Sequence, residues 1–316
     1  MIDVPASVLK HPAFDDAIAS YRKIGYLISV NDFGVDNTDV DSIAHVLPSV
    51  VKMGRAVAMQ AMKDDHSREG LPLAVSLLHE MGTLVMMEGV ESEEQAMLAI
   101  DADADFASGF FFGPHVDDVS EFGQPHELLN KLWTRYKKRD AGGRKQSGER
   151  GSLDNGSLHS SKAKDVRKPS SADIARYREQ RRPYLTALQN IAARVRAGAI
   201  LEISCDPFLK LEGAIRCFML DASGNLASID VHSAQPPARR GVDFYTLSAH
   251  HESDWSRRDF FRRAVNEPEV VQATRQYCSL TGYLHCVTFS MATKNVSGKL
   301  VVICGDVDWS IHAQSH

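Results

Sequence analysis

The chain has 316 residues, 43% of them hydrophobic and 24% charged, with a formal net charge of −5. This composition sits near the average for soluble globular proteins and excludes a wholly disordered chain, a collagen-like fibre and a disulfide scaffold. The negative balance gives no global reason to expect nucleic-acid binding. Five cysteines, none in a Cys-x-x-Cys pair, argue against a zinc site or disulfide framework and for a reducing, cytoplasmic setting. No apolar run approaches the ~18–20 residues of a membrane span. The start Met1-Ile2-Asp3-Val4-Pro5 has no basic region ahead of an apolar stretch, so no secretory signal is expected.

The first 118 residues carry 20 acids against 7 lysines and arginines. They alternate strand and helix signals. Tyr26-Leu27-Ile28-Ser29-Val30 is a short apolar run ending in Asn31-Asp32-Phe33-Gly34. Further strands are predicted at Val50–Met53, at Leu84–Met87 and over Phe106–Phe112, the last centred on Gly109-Phe110-Phe111-Phe112. Helical patterns fall between them, at residues 14–22, 40–47, 72–81 and 92–100. Apolar strands separated by helices predict βαβ units and a parallel sheet buried on both faces. Polar residues stand at the strand ends: Asn31 and Asp32, Lys52, Glu88 and Ser108. In α/β sheets and barrels that end is where ligands bind. Two acids and a lysine there suit metal-assisted phosphate chemistry, since carboxylates hold divalent ions and a lysine can orient a water. Each residue also has a structural reading: Asp32 as a turn cap, Glu88 as a polar strand end, Lys52 as a surface lysine.

Taken in order, Asn31-Asp32-Phe33-Gly34, Val51-Lys52-Met53-Gly54, Glu88-Gly89-Val90-Glu91 and Ser108-Gly109-Phe110 resemble the second half of EAL domains. Those domains are phosphodiesterases that linearise cyclic di-GMP. The resemblance covers roughly residues 1–118. It implies part of a (βα)₈ barrel, strands 5–8, with a stub of a further strand at Ile2-Asp3-Val4. It further implies Asp32, Glu88 and Asn31 at a Mg²⁺ or Mn²⁺ site, Lys52 beside the attacking water, and Glu91 supporting the site. The loop Val35-Asp36-Asn37-Thr38 would shape the site and the family's dimer contact. Several positions depart from the family's pattern. Asn31 stands for its first Asp, Gly54 for the Asp of Lys-x-Asp, and Ser108 for its Gln, and no Glu-Ala-Leu occurs in the chain. Asp3 falls near the position of the strand-four glutamate. An amide in place of a carboxylate removes a full charge and weakens binding of hard cations. The resemblance therefore predicts a truncated or decayed, catalytically impaired phosphodiesterase-like domain. Pairing of two half barrels and a stand-alone α/β sandwich are the other readings.

Residues 135–182 reverse the charge, with 15 lysines and arginines against 6 acids. Within them, 139–172 is rich in Gly, Ser and charge and is predicted to be a flexible linker between a domain at 1–138 and another at 173–316. From Ser171 to about Gly198 the apolar residues recur at helical spacing, which suits either packing on the same domain or a dimeric signalling helix. A hairpin is expected over Ala214–Val231. A helix follows at 256–264, then strands at 284–291 and 300–307, an α+β design with helices on one side of the sheet.

This half resembles the PAS/Cache-like signalling domain found behind some EAL domains, on residues 254–261, Thr274-Arg275-Gln276-Tyr277 and Gly305-Asp306. By that analogy Trp255, Arg258, Tyr277 and Asp306 are candidate contacts for an unidentified small molecule. The structural reading makes Trp255 a core aromatic, Arg258 a surface residue and Asp306 part of a turn. The expectation as a whole is a homodimeric cytoplasmic signalling protein with cyclic di-GMP as partner. The alternative is a non-catalytic interaction or dimerisation module with small-molecule sensing by the C-terminal half.

Overall fold

The computed structural model describes residues 1–9, 11, 14–34, 40–114, 125–143, 171–237, 255–279 and 285–313. The loop at residues 35–38 and most of the predicted linker lie outside the described residues. The linker's first residues, to 143, belong instead to helix α6, Pro125–Gly143.

The first unit is a parallel sheet of β1 (Ile2–Pro5), β2 (Ile28–Phe33), β3 (Val50–Met53), β4 (Leu84–Met87) and β5 (Phe106–Ala107). The strands lie side by side in chain order, β1-β2-β3-β4-β5. Each strand thus pairs with its neighbour in sequence, without the reversal that marks a doubly wound sheet. The connecting helices are α1 (Phe14–Ile24), α2 (Val40–Val46), α3 (Arg55–Lys63), α4 (Asp65–Glu80) and α5 (Glu93–Asp101). One sheet face, carrying Val4, Ile28, Val30, Val51, Met53, Val85 and Met87, forms a core with these helices. Full burial of such side chains stabilises by about 1.5–3 kcal/mol each.

Two expectations need correction here. Helix α4 starts seven residues before Pro72, because Asp64 caps it by accepting the Ser67 amide at 2.9 Å. The fourth strand ends at Ala107, and Phe110–Phe112 is a 3₁₀ turn. Gly109 explains the break. Its φ is +154°, and a Cβ there would lie 2.1 Å from the Val90 carbonyl oxygen. The chain instead closes on Val90, whose amide donates to Ser108 O and whose carbonyl accepts from the Phe111 amide. Two separate sequence motifs are thereby one packed corner.

The second unit is an antiparallel sheet in the order β7-β6-β10-β9-β8. Its strands are β6 (Ala214–Asp221), β7 (Val231–His232), β8 (Gln272–Ala273), β9 (Cys286–Lys294) and β10 (Leu300–Asp308). The second strand of the expected hairpin shrinks to β7 and an isolated bridge at Leu226. Helix α7 (Ser171–Arg196) lays Tyr184, Leu188, Ile191 and Val195 on one face of the sheet. Helix α10 (Asp259–Asn266) packs Phe260, Phe261 and Ala264 on the other. Helices therefore cover both faces, not one. The continuous burial of β9 and β10 has this cause, since neither strand keeps a solvent face. The apolar stripe of α7 from Tyr184 to Val195 is spent on its own unit. Helices α8 (Leu201–Ser204) and α9 (Asp206–Leu209) link α7 to β6, and α11 (Ser310–Ala313) follows β10.

The units meet through arginines. Arg258 donates to Asp105, Arg263 to Glu80 at 2.6 Å, and Arg257 pairs with Asp103 at 3.3 Å. Asp105 is fully buried and also pairs with His79 Nε2 at 2.8 Å and accepts the Val85 amide at 2.8 Å. Burial alone would raise its pKa. The Arg258 guanidinium, His79 and the Val85 amide outweigh that and hold the carboxyl well below its ordinary range. Gly82 allows the closest approach, because a Cβ there would sit 2.0 Å from the Gln276 carbonyl oxygen.

A depressed carboxylate stabilises the fold at pH values above its unfolded pKa and loses that contribution as pH falls through the folded value. Asp105→Asn should therefore cost about 3 kcal/mol at neutral pH, as one partner of a buried pair is removed. In urea unfolding, the gap between parent and variant should hold from pH 7 down to about 4, the unfolded carboxylate range, and narrow below it. A gap that closes between pH 5 and 7 would contradict this assignment.

Candidate functional site

The sheet face turned away from α1–α5 changes character along its strands. Near the strand starts it is apolar: Leu27, Val50 and Leu84 are buried there, and Cys278 of the second unit packs on them. Towards the strand ends it is polar, with Asp3, Ser29, Asn31 and Lys52, and Glu88 directly after β4.

Lys52 organises this end. Its Nζ lies 2.9 Å from Asp3 Oδ2 and 3.6 Å from Glu88 Oε1. The lysine is 8% exposed, so it is not the surface lysine of the structural reading. Because β2 lies between β1 and β3, the Lys52 side chain passes over β2 to reach Asp3. Below it are Ser29 Oγ and Asn31 Oδ1, both buried without a hydrogen-bond partner among the described residues. A buried carbonyl oxygen in that state has a free acceptor site.

A bulge presents Asn31 and Asp32 together. Val30 pairs with Val51 and Phe33 with Met53, so two residues of β2 face the single residue Lys52 of β3. Asp32 takes up the extra length with φ +57° and is exposed. A regular strand would turn Asp32 into the helix-facing core. The positive φ turns it out to solvent instead.

Glu91, expected to support the site, pairs with Arg55 at 2.8 Å, and its amide donates to Gln95 Oε1 at 2.6 Å. It shapes the corner after β4 and is not in contact with Lys52. Ser108 uses its backbone to hold Val90 and Met87. Asp3 is the residue the sequence weighted least, and the pairing of β1 with β2 brings it into the site.

The residues do not fit a paired metal centre. Each hard cation takes about six or more oxygens. Here Asp3 and Glu88 are already compensated by Lys52, and Asn31 offers a neutral oxygen where a carboxylate would add charge. Among the described residues, no group of three or more His, Cys, Asp or Glu side chains converges.

The four candidates of the second unit do come together. Trp255, Arg258 and Tyr277 line one cavity, with Arg216. Asp306 stands behind it, in β10 rather than in a turn, accepting from Arg216 Nε at 2.7 Å and from Thr288 Oγ1 at 2.7 Å. Since Thr288 gives its proton to Asp306, the Tyr277 hydroxyl donates to Thr288 Oγ1, 2.6 Å away. Burial pushes the Tyr277 phenol up, so it remains a neutral donor. Arg258 is half-buried against the first unit, where it pairs with Asp105, so it is not the free surface residue of the structural reading. Arg216 was missed. Its signal was a guanidinium in the middle of the apolar run Ala214–Leu220, where a charge must be paired. It is paired twice, its Nη1 donating to Asp230 at 2.6 Å.

A polar mouth at the ends of a parallel βα sheet defines an α/β domain with a ligand end. Residues 1–115 match the EAL domain model, and this segment belongs to that family. It is 28% identical over 100 residues to the cyclic di-GMP phosphodiesterase TpdA of Vibrio parahaemolyticus, covering 32% of this chain and 18% of that one. It is 26% identical over 112 residues to the cyclic di-GMP phosphodiesterase RocR of Pseudomonas aeruginosa, covering 35% of this chain and 27% of that one. The matches thus span less than a third of either relative. Among solved structures, the Bacillus subtilis YkuI protein, with an EAL domain and in complex with cyclic di-GMP and calcium, aligns over 99% of this chain and 69% of its own at 14% identity, with a TM-score of 0.38. No described helix is long and apolar enough to cross a membrane.

Asp32→Gly should raise the unfolding midpoint, because a left-handed non-glycine residue costs on the order of 1 kcal/mol. Thermal unfolding of the variant checks this. A lowered midpoint would show that the Asp32 side chain is needed to hold the turn.

Proposed function

We propose that this chain is a cyclic di-GMP signalling protein whose EAL segment is catalytically impaired and whose C-terminal unit is sensory. The observation that carries the first part is the seating of Lys52 between Asp3 and Glu88, beside an asparagine. The ammonium neutralises carboxylates that a divalent ion would need, and Asn31 and Asp32 offer one charge between them. The relatives' names supply the substrate class. In this reading Asp32 and Glu88 would be the contacts of a single Mg²⁺ or Mn²⁺, Glu88 sharing its charge with Lys52, and the Asn31 amide oxygen would accept a hydrogen bond from the nucleotide or its water. In this reading Lys52 holds the mouth in shape and meets phosphate oxygens as a point charge.

Hydrolysis of cyclic di-GMP with Mg²⁺ or Mn²⁺, measured beside RocR, should run at least about 100-fold slower, given that even supporting changes around a metal cost about 10–100-fold. Asn31→Asp should recover part of that deficit. Turnover equal to that of RocR would overturn the assignment.

The second part rests on the cavity that gathers Trp255, Arg258 and Tyr277 against the first unit. Its walls come from both units, which is the arrangement a sensor needs to pass a signal to the EAL segment.

A further inference from the structure

A cavity of about 100 Å³ lies between the two units. His79 and Glu80 come from the first, and Arg216, Trp255, Arg258 and Tyr277 from the second. We infer that this inter-unit cavity binds a small organic monocarboxylate with a flat apolar body, held by the arginines over Trp255.

Charge gives the sign of the ligand. Four guanidinium groups line the cavity, those of Arg216, Arg258, Arg263 and Arg275, against the two carboxylates of Glu80 and Asp259. The acids that satisfy Arg216 and Arg258, namely Asp306, Asp230 and Asp105, are not on the walls. Among the described residues Arg216 spends Nε and Nη1 on them, and a guanidinium carries five N–H donors. A carboxylate entering the cavity therefore meets N–H edges already held in place from behind. A cation would find no acceptor on these guanidinium groups.

Shape and polarity give the rest. The Trp255 ring packs between Phe218 and Phe260, with centroids 6.0 and 6.1 Å away, so its position is fixed by the core. Leu84 and Phe260 add apolar wall. A mostly apolar cavity with a few converging polar groups is the usual form of a small-molecule site. The relay from Tyr277 through Thr288 to Asp306 and Arg216 ties the cavity to the centre of the second sheet. The pairs Arg258–Asp105 and Arg263–Glu80 tie it to the first unit. A bound anion thus touches the groups that dock one unit on the other. This inference rests on the sensory reading of the C-terminal unit for its consequence, not for the site itself.

The test uses the full chain with benzoate as probe, and benzamide and benzylammonium as neutral and cationic matches of the same shape. Saturating benzoate should raise the unfolding midpoint by about 2–4 °C, and the two controls should not. Trp255→Ala should abolish the response. Arg275→Glu, an exposed change at the rim that leaves the unliganded midpoint unchanged, should weaken benzoate about 5-fold. Benzoate should also slow amide exchange on both walls, across β4 and at residues 274–278. No response to benzoate, or an equal response to benzamide, would overturn the site. Selective binding with unchanged exchange across β4 would uphold the site and remove the sensory reading.

Discussion

The placement of one ammonium group governs the polar end of the first sheet. Lys52 reaches across β2 to Asp3 and also faces Glu88, so three strands are joined by charge at the point where a ligand would sit. A lysine this buried needs carboxylate partners, because an uncompensated charge in that position is costly. Those partners are then committed. The bulge opposite Lys52 adds Asn31 and Asp32 to the same end at the expense of a left-handed aspartate. Strain kept in such a place is commonly tied to a site, and here it turns a carboxylate out of the core and into solvent.

The same sheet face carries the link between the units. Its polar half is the candidate site, and its apolar half packs against Cys278 of the second unit. Arg257 and Arg258, just before α10, and Arg263 within it then clasp Asp103, Asp105 and Glu80 around the edge of that contact. Acid excess in the first 118 residues thus finds part of its complement in the second unit. The cavity between them is bounded by groups that already hold the two together, so occupancy and docking are coupled by construction.

Much of this was legible in the sequence. Val50–Met53 and Leu84–Met87 stand as read, because short β-branched and apolar runs bounded by turn residues have few other outcomes. The order of polar residues at the strand ends placed Lys52 and Glu88 together correctly. The pairing of Lys52 with Asp3 was not legible, since it depends on β1 lying two strands away. Nor was the bulge, which needs the register of two strands to be known. Phe110–Phe112 reads as strand by composition and is overridden by the backbone contact of Gly109 with Val90. Arg258 could not be placed from local sequence, because its partner Asp105 lies in the other unit.

In the proposed reading the polar end of the first sheet lacks the charge for two metal ions. Calorimetric titration of Mn²⁺ into the chain, with cyclic di-GMP present, tests it most directly. At most one Mn²⁺ should bind per chain, and Asn31→Asp should tighten that binding. Two Mn²⁺ bound per chain in the parent protein would contradict the account.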